Sequence, residues 1–308
     1  MFDSLDRLPA DPILGLMSAF QDDERTEKID LGVGVYRDDT AQTPIMQAVV
    51  DAQRRLLEIE TSKSYLPPAG PDDYNNGVQQ LLLGDELVEG CDQRLTSLLT
   101  PGGCGALRIG AEVIRRSSST CTVWVSDPTW PNHIPLLGGA GLQLKTYSYY
   151  DPTTKSLDFA TMMSQLEQSK PGDVLLLHGC CHNPSGADLT LEQWQTVTEF
   201  VTDRELMPFV DVAYQDLGEG IDEDAAGWRY LAARVLSTQS KLNRCLNPNE
   251  DAICRGGRGV SPVLQRLFHT GYMFSTLTNH LHVSGGGAGI LGRDISAIQR
   301  RDKVAHSE

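Results

Sequence analysis

The sequence has little basic charge, no metal-type cysteine spacing and no long apolar run. Its 26 Lys and Arg residues stand against 41 Asp and Glu residues, so the formal net charge is −15 at pH 7. That charge repels nucleic acid and anionic membrane surfaces, and we expect neither as a partner. No stretch approaches the roughly 18 apolar residues of a membrane-spanning helix. We therefore predict a soluble protein.

The cysteines do not form a recognisable framework. They number seven, and no two of them have the CxxC spacing of a zinc site. Cys180 and Cys181 are adjacent, and the others are scattered. The first residues also lack the basic region and apolar core of a secretory signal peptide. We predict free thiols, no bound metal and a cytoplasmic location.

Helix and strand patterns alternate along most of the chain, which predicts an α/β fold with a parallel sheet flanked by helices. Its 308 residues suffice for one large domain and a smaller one. Predicted strands cover residues 29–36, 121–126, 142–149, 173–178 and 208–214. Predicted helices cover residues 42–60, 105–116 and 191–206. After about residue 235 the sequence becomes polar and the periodicity weakens.

Two glycine-rich or polar loops mark candidate ligand contacts. The turn at residues 102–105 (GGCG) opens onto a predicted helix, whose first N–H groups can hold a phosphate; an ordinary helix start is the alternative. The loop HNPSG at residues 182–186 follows a predicted strand, at the edge where open α/β folds bind ligands. Its Asn183 amide can donate to a ring oxygen or a carboxylate.

Two further residues follow or end predicted strands at the same edge. Trp130 is either a stacking platform or core filler. Asp211 ends an apolar strand, where a carboxylate needs a cationic partner. That partner is either a structural basic residue or the protonated nitrogen of a bound ring.

Seven segments, in family order and near family spacing, resemble the aspartate and aromatic-amino-acid aminotransferases, which are pyridoxal-phosphate enzymes of fold type I. The segments are PADPILGL (9–16), LGVGVY (31–36), SYLPPAG (64–70), TPGGCGALRIGA (100–111), SDPTWPNH (126–133), HGCCHNPSGADLT (178–190) and DVAYQDLGEGIDEDAAG (211–227). The resemblance covers roughly the first three quarters of the chain.

This resemblance implies the type I pyridoxal-phosphate transferase fold, with a mainly parallel sheet of the seven-stranded type flanked by helices. It assigns residues 1–36 to an N-terminal arm and the start of the small domain, and residues 37–255 to the large cofactor-binding domain. Residues 256–308 would be the remnant of an incomplete C-terminal small domain.

The resemblance also implies contacts with pyridoxal 5′-phosphate. Gly103 and Cys104 would hold the phosphate, although the family usually has Thr in place of Cys104. Trp130 would stack on the ring. Asn183 and Tyr214 would hydrogen-bond the phenolic oxygen of the ring.

Further implied roles concern charge, substrate and assembly. Asp211 would pair with the pyridinium nitrogen and make the ring an electron sink. Gly34, together with Trp130 and Asn183, would receive the substrate α-carboxylate. Tyr65 would reach the phosphate of the neighbouring subunit, which implies a homodimer.

The lysine that the family uses for its Schiff base has one candidate here. The family segment Ser-x-x-Ser-Lys corresponds to TQSKLNRCL at residues 238–246, which selects Lys241 after Ser240. The spacing from Asp211 is several residues shorter than in the family, and the following Asn-Phe-Gly is missing. A surface lysine on a rearranged loop is the alternative. The family's Ser-Gly-Arg, whose arginine clamps the α-carboxylate, appears as Ser284-Gly285-Gly286.

We therefore predict a pyridoxal-phosphate-dependent aminotransferase of amino-acid metabolism. It would move an amino group between an L-amino acid, aspartate or aromatic, and a 2-oxo acid such as 2-oxoglutarate, in ping-pong fashion through a lysine aldimine. The alternative is a catalytically impaired homologue, truncated or frame-disturbed, that retains only the cofactor cradle.

Overall fold

The computed structural model describes residues 12–28, 38, 42–62, 64–91, 95–242 and 273–276. The chain divides into two compact units, Met1–Val50 and Asp51–Glu308. In the first unit, the Lys28 ammonium donates to the carbonyl oxygens of Phe20 and Asp23, at 2.6 and 2.5 Å. This contact satisfies carbonyl groups at the end of the first helix.

The helices and strands alternate in the second unit, as the sequence predicts. The helices are α1 Pro12–Asp22, α2 Gln47–Ile59, α3 Asp72–Leu83, α4 Asp85–Cys91, α5 Gly102–Ser117, α6 His133–Gly138, α7 Phe159–Leu166, α8 Leu191–Asp203 and α9 Ile221–Leu242. The strands are β1 Thr122–Asp127, β2 Gln143–Ser148, β3 Tyr150–Asp151, β4 Ser156–Leu157, β5 Val174–His178, β6 Met207–Val212 and β7 Met273–Thr276. Of the helices described, none has the length and apolar character needed to cross a membrane.

Five strands form one sheet in the order β2-β1-β5-β6-β7, and every neighbouring pair is parallel. The register of β5 and β6 sets His178 opposite Asp211. The prediction of a parallel sheet flanked by helices is confirmed, and the sheet has five strands within the described residues. The predicted seven-stranded type stays a prediction. The strand predicted at 29–36 lies outside the described residues.

Several predicted boundaries differ from those observed, and two of these differences concern residues of the predicted site. The strand predicted to reach Tyr214 ends at Val212, because the chain turns there and the Leu217 amide donates to the Tyr214 carbonyl. Helix α5 begins at Gly102 rather than at residue 105. The glycines at 102–105 therefore form the first turn of the helix instead of a loop before it.

Alternate residues of the central strands point to opposite faces of the sheet, as the strand period requires. On one face, Trp124, Leu175 and Val210 pack with side chains of α7, α8 and α9. On the other face, Val123 and Phe209 pack with side chains of α5 and α6. The two apolar clusters fix the strands, and so fix the loops that leave their carboxyl ends.

Helix α8 begins with a capping box. Its Thr190 hydroxyl accepts from the Gln193 amide at 3.2 Å, and the Gln193 side chain accepts from the Thr190 amide at 2.9 Å. This reciprocal pair ends the loop that carries Asn183 and starts the helix at Leu191. The loop is thereby held at both of its ends, by β5 and by α8.

Candidate functional site

A cavity of about 210 Å³ opens where β1, β5 and β6 end and α5 begins. Cavities for drug-sized ligands span roughly 300–1,000 Å³, so this one suits a smaller compound, such as one substituted ring. The described residues lining it come from α5 and from the three strands and the loops that follow them: Pro101, Gly102, Gly103, Cys104, Trp130, His178, Cys180, Asn183, Asp211, Ala213 and Tyr214.

The structure brings six of the predicted site residues together around this cavity: Gly103, Cys104, Trp130, Asn183, Asp211 and Tyr214. Tyr65 lies elsewhere, with its side chain fully exposed. Gly34 falls outside the described residues. Ser240 and Lys241 lie in the last turn of α9, and their side chains are outside the description.

The first turn of α5 gives the cavity a site for an anion. The Gly102 amide donates to the Thr100 carbonyl at 2.8 Å. Pro101 precedes the helix and has no polar side chain to cap it, so the N–H groups that follow Gly102 in the first turn receive no side-chain cap. Gly102 adopts a φ of +68°, which glycine tolerates and most residues do not. The helix dipole adds positive potential at the same point, so a phosphate would be stabilised there.

Asp211 is the most deeply buried charge of the site, with 5% of its surface exposed. One carboxylate oxygen, Oδ2, lies 2.9 Å from Nε2 of His133, which is itself fully buried. The other oxygen, Oδ1, is buried and has no hydrogen-bond partner among the described residues. A buried carboxylate oxygen without a partner is costly, so it marks the place where a ligand donor belongs.

A chain of hydrogen bonds behind Asp211 has one consistent direction. The backbone N–H of Asn183 can only donate a hydrogen bond, so Nδ1 of His178 accepts from it, at 3.4 Å. The proton of a neutral His178 is then on Nε2, which lies 3.2 Å from the Thr129 hydroxyl. That hydroxyl donates to Nδ1 of His133 at 2.7 Å, which leaves the proton on Nε2 of His133 for Asp211. The chain of hydrogen bonds therefore supplies the Asp211 carboxylate with a donor, Nε2 of His133.

Burial keeps the neighbouring histidines neutral. Desolvation, followed by the charges of His182 and His133, holds the pKa of His178 well below 6.5. Desolvation also lowers the pKa of His182 to about 4. The His182 ring stacks on Tyr149 with ring centroids 3.9 Å apart, and its nitrogens lie 3.1 Å from the Ser126 hydroxyl and 2.8 Å from that of Ser185.

Asn183 and Tyr214 form a polar pair on the cavity wall. The Asn183 side-chain amide donates to the Tyr214 hydroxyl at 3.3 Å. Burial raises the pKa of Tyr214 above its ordinary value, so the phenol stays protonated near neutral pH. The pair therefore offers a hydroxyl donor and an amide donor to an oxygen atom of a bound compound.

The backbone of Lys241 lies in the last turn of α9, at the opposite end of that helix from the cavity. Helix α9 begins near it, since Gln215 beside Tyr214 donates to the Ile221 carbonyl at 2.9 Å. A continuous helix from residue 221 to residue 241 advances about 30 Å along its axis. No lysine is found among the described residues that line the cavity.

The roles of His133, Thr129 and His178 are not predicted from the sequence. The signal that was available is that Thr129 and His133 follow β1 closely and His178 ends β5. The contacts themselves join residues that are 49 and 78 positions apart. They could not be read from the local pattern.

Comparisons with known proteins agree with the fold. The sequence model of the family described as aminotransferase class I and II matches residues 26–242. The chain is 45% identical over 246 residues to the aspartate aminotransferase of Escherichia coli (strain K12), covering 78% of this chain and 62% of that protein. It is 46% identical over 225 residues to the aromatic-amino-acid aminotransferase of Paracoccus denitrificans, covering 73% and 56%. The chain thus spans about three fifths of the length of these relatives.

Solved structures give the same result. An aromatic amino acid aminotransferase from Burkholderia cenocepacia J2315 superposes with a TM-score of 0.80 at 34% identity, covering 98% of this chain and 77% of that one. The aromatic-amino-acid aminotransferase from Burkholderia pseudomallei, covalently bound to pyridoxal phosphate, gives a TM-score of 0.79 at 35% identity, covering 98% and 76%.

Proposed function

The chain belongs to the class I and II aminotransferase family, and from this premise we propose that it binds pyridoxal 5′-phosphate in the cavity at the carboxyl edge of its sheet. It would use the cofactor to move an amino group between an L-amino acid, aspartate or aromatic, and a 2-oxo acid such as 2-oxoglutarate. The observation that carries the proposal is the buried, unpartnered Oδ1 of Asp211.

Asp211 suits the ring nitrogen of the cofactor. Its Oδ2 already accepts from His133, and Oδ1 remains for one further donor. A protonated pyridine nitrogen is such a donor, and it also neutralises the buried carboxylate. The cofactor, when bound, supplies an electron sink for the substrate carbon, and a protonated ring nitrogen strengthens that sink.

The phosphate would bind at the first turn of α5. The backbone N–H groups of Gly103 and Cys104 belong to that turn, which also carries the positive end of the helix dipole. Cys104 provides no hydroxyl donor there, so we expect the backbone to supply most of the contact. The exposed position of Cys104 leaves room for a bulky anion.

The ring would lie against Trp130 and face the polar pair. Trp130 lines the cavity, and its indole is held edge-on to the His133 ring, with centroids 5.5 Å apart. Asn183 and Tyr214 would donate to the phenolic oxygen of the ring. We further propose that Gly34, Trp130 and Asn183 receive the substrate α-carboxylate.

Lys241 remains the proposed lysine for covalent attachment of the cofactor, with Ser240 as a neighbouring contact, on the basis of the segment that contains them. Its place in the last turn of α9 requires that this end of the helix unwind in the working protein. A lysine freed in this way would accept the proton from the substrate carbon and return it to the cofactor.

A homodimer in the cytoplasm is proposed as the working form. Tyr65 would contact the phosphate of the neighbouring subunit, and its full exposure agrees with a role outside its own subunit. Leu57, Ile59 and Leu66 are also exposed, and burial of such apolar side chains would favour association.

The test is a titration of the purified full chain with pyridoxal phosphate, followed by borohydride reduction and mass spectrometry. We expect binding, and a reduced pyridoxyl group on Lys241 that is absent from Lys241→Ala. We then expect aspartate or tyrosine to convert the bound cofactor to its amino form. Binding without this exchange would favour the impaired homologue, and failure to bind would contradict the proposal.

A further inference from the structure

A second polar cluster lies beside the cavity and takes no part in the proposed function. The thiols of Cys180 and Cys181 and a carboxylate oxygen of Asp224 all lie within 4.8 Å of one another. Cys180 is buried, and Cys181 and Asp224 are half-buried. The three residues come from the loop after β5 and from the first turn of α9.

Asp224 is held in place by the backbone that precedes α9. Its Oδ2 accepts from the amides of Asp216 and Gly218, at 2.9 and 3.0 Å. Among the described residues, its Oδ1 accepts only from the Glu219 amide, at 2.8 Å. A carboxylate oxygen has two lone pairs, so Oδ1 keeps one that can face the thiols.

The cysteine pair is held just as firmly. Cys181 has a φ of +48°, an unusual conformation for a residue with a side chain. The amides of Cys181 and His182 donate to the two oxygens of Asp188, at 2.7 and 2.8 Å. This clamp maintains the strained turn and keeps both sulfur atoms on the side that faces Asp224.

We propose that Cys180, Cys181 and Asp224 bind a soft divalent cation, of which Zn²⁺ is the natural candidate. Two thiolates and one carboxylate are ligands that Zn²⁺ prefers, and three protein ligands leave one coordination position open. Zn–S bonds of about 2.3 Å set sulfur atoms about 3.8 Å apart in a tetrahedral site. Small side-chain rotations would therefore bring the three ligand atoms into range.

The surroundings of the thiols favour a cation. The Asp224 carboxylate lies within 4.8 Å of both thiols, and the Asp188 carboxylate binds the amides of Cys181 and His182, so both carboxylates contribute a negative field beside the sulfur atoms. A divalent cation gains from the same negative field, and its binding releases the two thiol protons to solvent as two sulfur–metal bonds form.

The cation would join the loops on both sides of the cavity. Cys180 lines the cavity, and the Cys181 thiol lies 3.9 Å from the carbonyl oxygen of Tyr214. Asn183 follows two residues after Cys181. A bound ion would therefore restrict the loops that carry Asn183 and Tyr214. The metal site itself does not depend on the proposed function, because none of its ligands needs a cofactor.

Cd²⁺ is a suitable probe, because Cd²⁺–thiolate bonds absorb in the ultraviolet. We would titrate the full chain, Cys181→Ser and Cys121→Ser with Cd²⁺ and then displace the ion with Zn²⁺. Cys121 is a buried cysteine immediately before β1 and serves as the matched control. We expect one tight equivalent in the wild type and in Cys121→Ser, with an absorbance that corresponds to two thiolates.

Cys181→Ser should lose half of that absorbance and bind at least about tenfold more weakly, since even residues that only support metal ligands cost this much. Cys180→Ala should show the same loss. Wild-type affinity and absorbance in Cys181→Ser, with a normal far-ultraviolet circular dichroism spectrum, would overturn the proposal. Tight Cd²⁺ that Zn²⁺ cannot displace would overturn the assignment to Zn²⁺.

Discussion

Two buried carboxylates lie at opposite ends of neighbouring strands, Asp173 at the amino end of β5 and Asp211 near the carboxyl end of β6. They differ in how many hydrogen bonds their oxygens accept. Asp173, just before β5, is 7% exposed, and Asp211, in β6, is 5% exposed. The oxygens of Asp173 accept three N–H groups, from Thr122, Trp124 and Lys170, at 2.9, 3.1 and 3.0 Å. The Asp211 carboxylate accepts a hydrogen bond from one described residue, His133, and its other oxygen has no partner among the described residues.

The difference separates a structural acid from one that awaits a ligand. Asp173 ties β1 to the turn before β5, and its hydrogen-bonding capacity is used within the chain. Asp211 leaves part of its capacity open towards a cavity, at a free-energy cost to the folded chain. A buried acid is therefore informative about function only when the partners of each oxygen atom are counted.

Asp211→Asn should have the largest effect on cofactor binding. Loss of the charge partner of the ring nitrogen should weaken pyridoxal phosphate by about 2–5 kcal/mol, which is roughly 30-fold or more. The cofactor-free chain should keep its stability or gain slightly, because an uncompensated buried charge is removed. Cofactor titration and urea unfolding of the same variant measure both quantities. If Asp211→Asn bound pyridoxal phosphate with wild-type affinity, Asp211 would not be a ligand-binding acid and would not differ from Asp173 in this respect.

Asp173→Asn should show the opposite profile. The new side-chain NH₂ group would face N–H groups that now donate to the carboxylate, so hydrogen bonds would be lost. We expect a loss of about 1–3 kcal/mol in the free energy of unfolding. Pyridoxal phosphate affinity should stay unchanged in the folded fraction, because Asp173 lies at the other edge of the sheet. The measurement is urea unfolding followed by cofactor titration at a concentration of urea well below the transition. An affinity loss equal to that of Asp211→Asn would contradict the contrast.

The free energy of unfolding should depend on pH through His182, which lies in the loop after β5. The unfolded chain takes up protons on histidine near the ordinary value of 6.5, whereas folded His182 takes one up only near its pKa of about 4. Stability is therefore full above pH 6.5 and falls as the pH is lowered towards 4. His182→Gln should reduce the slope of unfolding free energy in this window by up to about 1.4 kcal/mol per pH unit. An unchanged slope would show that His182 titrates normally.

Thr129→Val should have the smallest effect. It removes the hydroxyl between His133 and His178, and we expect a cost of about 0.5–1.5 kcal/mol in stability. Thr198→Val is the matched control, because its hydroxyl also donates a buried bond, to the Trp194 carbonyl at 2.7 Å. Only Thr129→Val should also weaken pyridoxal phosphate, through the orientation of His133. Equal cofactor affinities in the two variants would show that the hydrogen bonds from Thr129 to His133 and His178 do not contribute to cofactor binding.

The sequence was informative about the cavity because its lining residues lie in or close after apolar strands. Trp130, Asn183 and Tyr214 each lie in the loop after such a strand, and parallel strands bring their carboxyl ends to one edge. Local pattern is therefore enough to predict that these side chains meet. The same pattern predicts that Asp211 is buried at this edge with a cationic partner. It leaves open whether that partner is a basic residue or the protonated nitrogen of a bound ring.

The rest depended on register and burial, which local pattern does not contain. The contact between His133 and Asp211 joins residues 78 positions apart. The sequence pattern places Asp173 at the start of a predicted strand, and its three N–H partners are evident only when β1 and β5 are paired. The free oxygen of Asp211 could be recognised only after all of its neighbours were placed.

The protonation state of the ring nitrogen tests the central claim most directly. Pyridoxal phosphate labelled with ¹⁵N in the ring would be bound to the full chain and to Asp211→Asn, and its nitrogen chemical shift followed with pH. We predict a protonated nitrogen in the wild type at pH values where the free cofactor has lost this proton, and an unprotonated one in the variant. An unprotonated nitrogen in the wild type, or equal protonation in both, would contradict the pairing with Asp211.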